Sequence, residues 1–469
     1  MTAPTDDFTK AEPFEANPGG GATVRARMNA DAFSQPSGNM SFEDELTFKV
    51  GNGLFRKLWV TAPSSTLASD GLGPLYNARG CQNCHLKDGR GHPPEGPDDN
   101  AVSMFLRVSI PAPEADLTEL ERYLIDVDGS VERTRPHPVY GSQLQDFAVA
   151  GQVAEYRLDV SYTEEVVDLS DGETASLRRP VWAAVDPGYG PLGEDAMLSP
   201  RVTPQMIGLG LLEAVPAVDI LAHEDPDDAD GDGISGRANI VWSEEFDRPM
   251  LGRFGLKAGA PTVKAQSAAA FAGDIGISSP LHPGGWGECT EAEAACRAAP
   301  HGDGDDRGTE VDEEGLDLVT FYARNLAVPA RRDADDPEVL RGKDVFYSVG
   351  CASCHVPKYV TSRLDGRDPQ SFQLIWPYSD LLLHDMGEGL ADGRPEARAT
   401  GREWRTAPLW GIGMTERVSG HTYFLHDGRA RNLLEAVLWH GGEAEGAKQA
   451  VIDMPAPDRA ALIRFLESL

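Results

Sequence analysis

Apolar residues in this chain fall into short helical stripes separated by long polar stretches. In "MSFEDELTFKVGNGLFRKLWV" at 40–60 they recur at helical spacing. The same spacing predicts helices in "TPQMIGLGLLEAVPAVDILAHE" at 203–224 and in "GLDLVTFYARNLAVPARR" at 315–332, the latter ending near Pro329. The segments 101–110 and 155–169, rich in β-branched residues with partial alternation, read as strands. From about residue 333 the pattern is more compact: a first helix, a long middle, and a last amphipathic helix "PDRAALIRFLESL". Residues 1–40 are polar and rich in Gly, Pro and Ala, and predict a flexible N-terminal arm.

The length, 469 residues, implies more than one core, and 41% hydrophobic with 25% charged residues is ordinary globular composition. No apolar run is long enough for a transmembrane helix. The first 30 residues hold no apolar signal region, so a leader was either removed or never present. Net charge is −33, which disfavours nucleic acid and anionic membranes and favours a basic partner.

Cysteine placement narrows the chemistry. "GCQNCHLKDG" at 80–89 and "GCASCHVPKY" at 350–359 each contain C-x-x-C-H. Zinc would need a second ligand pair within a few tens of residues, and neither motif has one nearby. The adjacent histidine instead points to covalent c-type haem: Cys81/Cys84 and Cys351/Cys354 for attachment, His85 and His355 as proximal iron ligands. Such loading takes place outside the bacterial cytoplasm, so a periplasmic location is expected. The other two cysteines, Cys289 and Cys296, predict a disulfide. "DDADGDGISGRAN" opens like a calcium loop through Asp228, Asp230 and Asp232, but position twelve is Asn239 rather than Glu.

Several stretches carry a resemblance. "PYSDLLLHDMGEGLADG", "TAPLWGIGMTERVSGHTYFLHDGRARNLLEAVLWHGGEA", "GDGISGRANIVW", "LGRFGLKA" and "GLGLLEAVP" resemble the bacterial di-haem oxidoreductase family, often labelled thiol oxidoreductases. More distantly, the C-terminal part is similar to di-haem cytochrome c peroxidases and to the di-haem enzyme that matures the tryptophylquinone of methylamine dehydrogenase. The resemblance implies a mainly α fold with two cytochrome c-like haem domains. The N-terminal one (41–330) would be enlarged by strands and an acidic loop, and the C-terminal one would span 331–469. In the peroxidases an APLRN-like stretch and a His-x-Gly turn precede a helix ending at the sixth iron ligand. Here these fall on 407–410, 426–428 and 432–441, and His440 stands where they carry Met, which implies bis-histidine ligation. No sixth ligand is assigned for the first haem: His92 reads as a surface-loop residue, and His137 is better separated but has nothing that marks it as a ligand. The peroxidases use a distal glutamate. Glu213, in an otherwise apolar helix, is the candidate here with a raised pKa, and Gln143 is a weaker polar candidate. Trp59, Trp182, Trp404 and Trp410 are available to relay electrons between haems.

Two functions follow. One is a di-haem peroxidase that reduces hydrogen peroxide with electrons from a redox protein, or oxidises a protein substrate. The other is a non-catalytic electron carrier. Thiol chemistry has no cysteines left to perform it.

Overall fold

The computed structural model describes residues 4–25, 27–66, 68–96, 99, 103–113, 116–302 and 308–469. The expectation of a mainly α fold is corrected. Helix accounts for 29% of the chain and strand for 18%, and the strands form small sheets of two or three. The 50 glycines and 34 prolines explain much of this, because both residues interrupt helices and favour turns.

Helices α1 (Phe42–Phe55), α2 (Cys81–Cys84), α3 (Leu209–Glu213), α4 (Val263–Ala270), α5 (Glu313–Arg324), α6 (Pro337–Ser348), α7 (Leu433–Leu438) and α8 (Ala456–Ser468) carry the site. Side-chain caps fix several starts: Ser41 on α1, Thr262 on α4, Asp312 on α5 and Asp336 on α6. One packing device occurs in both halves. A Cβ at Gly51 would lie 2.3 Å from the Leu318 carbonyl, and one at Gly342 would lie 1.9 Å from that of Ala461. Glycine therefore lets α1 press onto α5, and α6 onto α8. Each helix pair stands beside one C-x-x-C-H turn.

Strand β1 (Met104–Pro111) pairs antiparallel with β4 (Met197–Val202). Its observed start leaves positions 101–102 of the expected strand outside the described residues. Between them, β2 (Arg157–Asp168) and β3 (Thr174–Val185) form a long antiparallel hairpin, registered from Arg157↔Val185 to Asp168↔Thr174. The hairpin lies across the C-terminal part. Arg178 donates to the carbonyls of Gly428 and Arg429, Arg459 pairs with Glu173, and Leu169 and Leu177 join the core of α6, α7 and α8. A further core joins the halves, combining Phe33, Ile207, Leu211 and Val328 with Tyr359, Ile375 and Trp410.

The N-terminal segment is not a loose arm. Ala22 and Phe33 are buried, and Val24 bridges to Pro329. Glu15, 0% exposed, pairs with Arg331 and with Lys343 at 2.8 Å. Burial pushes the Glu15 carboxyl up, but the two cations outweigh it and hold it below the usual range. Glu15→Ala should cost about 3–5 kcal/mol, because it leaves buried Arg331 without a carboxylate and Lys343 with Glu12 alone. Chemical denaturation checks this; a change below about 1 kcal/mol would mean that the network is solvated.

Candidate functional site

Both motifs fold into the same tight turn. His85 N–H donates to the Cys81 carbonyl at 3.0 Å, and His355 N–H to that of Cys351 at 3.0 Å. The two turns open onto one cavity of about 830 Å³, whose wall also includes His440. That volume is typical of a large ligand site.

The three imidazoles share one arrangement. Nδ1 of His85 lies 3.0 Å from the Pro204 carbonyl, that of His355 2.8 Å from Tyr378, and that of His440 2.7 Å from Ala436. A carbonyl only accepts, so each Nδ1 carries the proton and each Nε2 keeps a lone pair. Burial lowers all three pKa values, those of His85 and His355 to about 4. The rings are neutral near pH 7, the form that binds iron, with the carbonyl bond fixing ring orientation. His440 also adds to the lowering at His355, so the two rings stand near each other.

The motif cysteines form no disulfide, and burial pushes Cys81 and Cys351 up to about 12. Neutral thiols are poor nucleophiles, the reverse of what a dithiol redox centre needs.

Five arginines reach the wall: Arg90, Arg107, Arg201, Arg253 and Arg405. Arg90 donates to the Tyr423 and Leu425 carbonyls, Arg253 to Leu212 and Val215, and Arg405 to Gly255 and Thr406. Burial lowers these three to about 10, and none forms an ion pair among the described residues. Arg107 Nε is buried without a partner. Uncompensated guanidiniums in an apolar cavity call for an anionic ligand. Haem, with two carboxylates, an apolar face and an iron seeking imidazole, fits that donor set.

The structure corrects the candidate acid. Glu213 accepts from Arg324 Nε at 2.7 Å, Arg367 Nη1 at 2.7 Å and Val263 N–H at 2.8 Å, and it does not line the cavity. Burial pushes its carboxyl up, but Arg324 and Arg367 prevail and hold it low, the reverse of the raised pKa expected. Gln143 is also behind the wall. Its Nε2 reaches Asn77 Oδ1 and Asp274 Oδ1, both at 2.7 Å. Asp274 does line the cavity, on a π-helical turn Phe271–Ile275 that continues α4. Burial holds its carboxyl above the usual range. Sequence reasoning missed it, although "AAAFAGDIG" offers the same signal as Glu213, one acid in an apolar run.

Other candidates separate clearly. His384 has both nitrogens occupied, Nε2 by Asp380 at 2.8 Å and Nδ1 by Glu443 at 2.7 Å. Burial opposes its charge, yet these carboxylates raise its pKa well above normal. The His426 ring stacks on Trp404 at 3.8 Å in the cavity wall, and its buried Nε2 has no hydrogen bond but lies 3.8 Å from Asp427 Oδ2. Trp404 and Trp410 line the cavity; Trp59 and Trp182 do not. His92 and His137 stand outside the wall as well. Cys289 and Cys296 are at bonding distance. In the acidic loop, Asp225, Asp228 and Asp230 cluster, while Asp232 turns to the Ile234 amide instead. Asp225 and Asp228 already accept amides of the loop itself. No described helix is long and apolar enough to cross a membrane.

Comparison with known proteins agrees with this site. The model of the family described as "Di-haem oxidoreductase, putative peroxidase" matches residues 14–469. No curated protein and no solved structure matches. The chain belongs to the di-haem oxidoreductase family.

Proposed function

We propose that the chain carries two covalent haems and reduces hydrogen peroxide at the first, drawing electrons from a redox protein through the second. The observation that carries this reading is an asymmetry of imidazoles. Among the described residues of the wall, the second motif has two imidazoles held by a backbone carbonyl, His355 and His440; the first has His85 alone. Cys81 and Cys84 would hold one haem and Cys351 and Cys354 the other, with arginines of the wall pairing their carboxylates. The haem supplies an iron that binds peroxide and exchanges electrons.

Asp274 is the group suited to proton transfer at the first site. Its field acts on both Cys81 and Cys84, and it faces the cavity. As a carboxylate it takes a proton from peroxide and returns it to the leaving oxygen. Gln143 holds Asp274 Oδ1 in place. Of the other wall carboxyls, Glu396 and Glu443 are held low by arginine and histidine partners, and Asp232 sits on the exposed loop. The net charge of −33 favours a donor with a basic face. Covalent attachment favours an extracytoplasmic site of action.

A second reading is an electron-transfer cytochrome. His426 favours it, as a wall imidazole that could fill the remaining iron position. A low-temperature electron paramagnetic resonance spectrum of the ferric protein separates the two. One high-spin and one low-spin signal, with the high-spin one lost on adding peroxide, supports the peroxidase. Two low-spin signals indifferent to peroxide support the carrier.

His440→Ala should convert the low-spin signal to high-spin; an unchanged spectrum removes His440 as ligand. Asp274→Asn should cut peroxide turnover by roughly 100-fold with both iron signals retained, whereas Glu213→Gln should leave turnover near normal. Because burial raises the Asp274 pKa, the base form is lost as pH falls through that raised value. The acid limb of the turnover profile should therefore lie above the ordinary carboxylate range and vanish in Asp274→Asn.

A further inference from the structure

Behind each proximal histidine stands the same sequence of groups. The Phe55 ring lies 6.1 Å from that of His85 and 5.1 Å from that of Tyr322, whose hydroxyl donates to Asp88 Oδ1 at 2.8 Å. In the other half, the Phe346 ring lies 6.3 Å from His355 and 5.9 Å from Tyr378, whose hydroxyl donates to Glu15 Oε1 at 3.1 Å. Both tyrosines are buried. Their carboxylates are not equivalent. Glu15 is clamped by Arg331 and Lys343, so its negative charge is already satisfied. Asp88 has no ion pair among the described residues. It accepts two hydroxyls, from Tyr322 and from Ser34 Oγ at 2.5 Å, and so stands as a carboxylate with room for a proton. Phe55, Val319 and Ala323 line the cavity, so Tyr322 sits directly behind its wall.

We propose that Tyr322 is a redox-active residue that stores one oxidising equivalent generated by peroxide. This rests on the peroxide reading above. Hydrogen peroxide delivers two oxidising equivalents to the haem that Cys81, Cys84 and His85 would hold; the phenol of Tyr322 would give up one electron there and its proton to Asp88, leaving the second equivalent at the haem site for a further donor electron. The Tyr322 O–H bond breaks, an O–H bond forms on Asp88, and a neutral phenoxyl radical remains. A later electron from the donor, together with the proton on Asp88, restores the phenol. Tyr378 lacks an acceptor with an unsatisfied charge and stays a phenol. With no donor present, the equivalent then rests on a buried ring instead of attacking the cavity wall.

The test uses the ferric holoprotein mixed with one equivalent of hydrogen peroxide, frozen, and read by optical and paramagnetic resonance spectroscopy. The expected result is an organic radical whose hyperfine splitting collapses when the protein is grown on ring-deuterated tyrosine. It should be lost in Tyr322→Phe and kept in Tyr378→Phe. Asp88→Asn should lose it too, while the haem spectrum still responds to peroxide. A radical unaffected by deuteration, or one that survives in Tyr322→Phe, overturns the proposal, as does a haem that reacts with peroxide and yields no radical. A haem spectrum indifferent to peroxide overturns the peroxide reading and this proposal with it. The deuterated wild-type sample needs no variant to fold.

Discussion

Everything at the site depends on one kind of bond, an imidazole N–H held by a backbone carbonyl. Pro204, Tyr378 and Ala436 each supply such a carbonyl. The bond fixes the tautomer, turns the lone pair of Nε2 outward and stops the ring from rotating. It also ties His85 and His355 to segments outside their own motifs. His85 is anchored across to the segment before α3, and His355 to the loop before β-paired residues Leu383–Asp385. His440 is held by its own helix, α7. The cavity is thus defined by carbonyls whose positions depend on the packing of both halves. That explains why the two helix pairs need glycine at their crossings and why a core joins them.

Charge is distributed to the same end. The chain is strongly acidic overall, yet the cavity wall is cationic. Arg90, Arg253 and Arg405 keep their charge there on carbonyl hydrogen bonds alone. Neutral carbonyls compensate a guanidinium only partly, so these side chains remain available to an anion. Where the fold needs a charge satisfied, it uses carboxylates: Glu15 between Arg331 and Lys343, Glu213 between Arg324 and Arg367. The two patterns distinguish ions that hold the structure from ions that face a ligand.

The same distinction explains what the sequence could and could not reveal. The C-x-x-C-H turns are local, so four or five residues suffice to read them. That His440 reaches the cavity was legible through its place in a longer motif. The fate of Glu213 was not, because its partners lie 111 and 154 positions further on. A buried acid in an apolar run looks alike whether it is paired or not, and Asp274 in "AAAFAGDIG" differs from Glu213 only in tertiary surroundings. The mainly α expectation failed for a related reason. The resemblance reports the motif-bearing elements, while the β2–β3 hairpin and the loops between them carry little periodic signal. The N-terminal segment was misread because its composition suits a loose arm. Buried Glu15, with Glu12 beside it, tethers it to α6 and to Arg331.

The two halves repeat a plan and then differ in two respects, on which the proposed division of labour rests. Each has a helix pair, a motif turn, a carbonyl-held histidine, a phenylalanine and a tyrosine bonded to a buried carboxylate. At the second motif another imidazole is present, and the carboxylate is neutralised by two cations. Among the described residues the first has no second ring of that kind, and Asp88 forms no ion pair. Losing an electron from a buried phenol is costly unless its proton has somewhere to go, because the low dielectric penalises the cation that would otherwise form. An acceptor without a counter-ion lowers that cost at the first site only. A filled coordination sphere keeps iron geometry constant during electron transfer, whereas an open one admits a reactant. Both differences support the proposed function, with chemistry at the half built on His85 and transfer at the half built on His355 and His440.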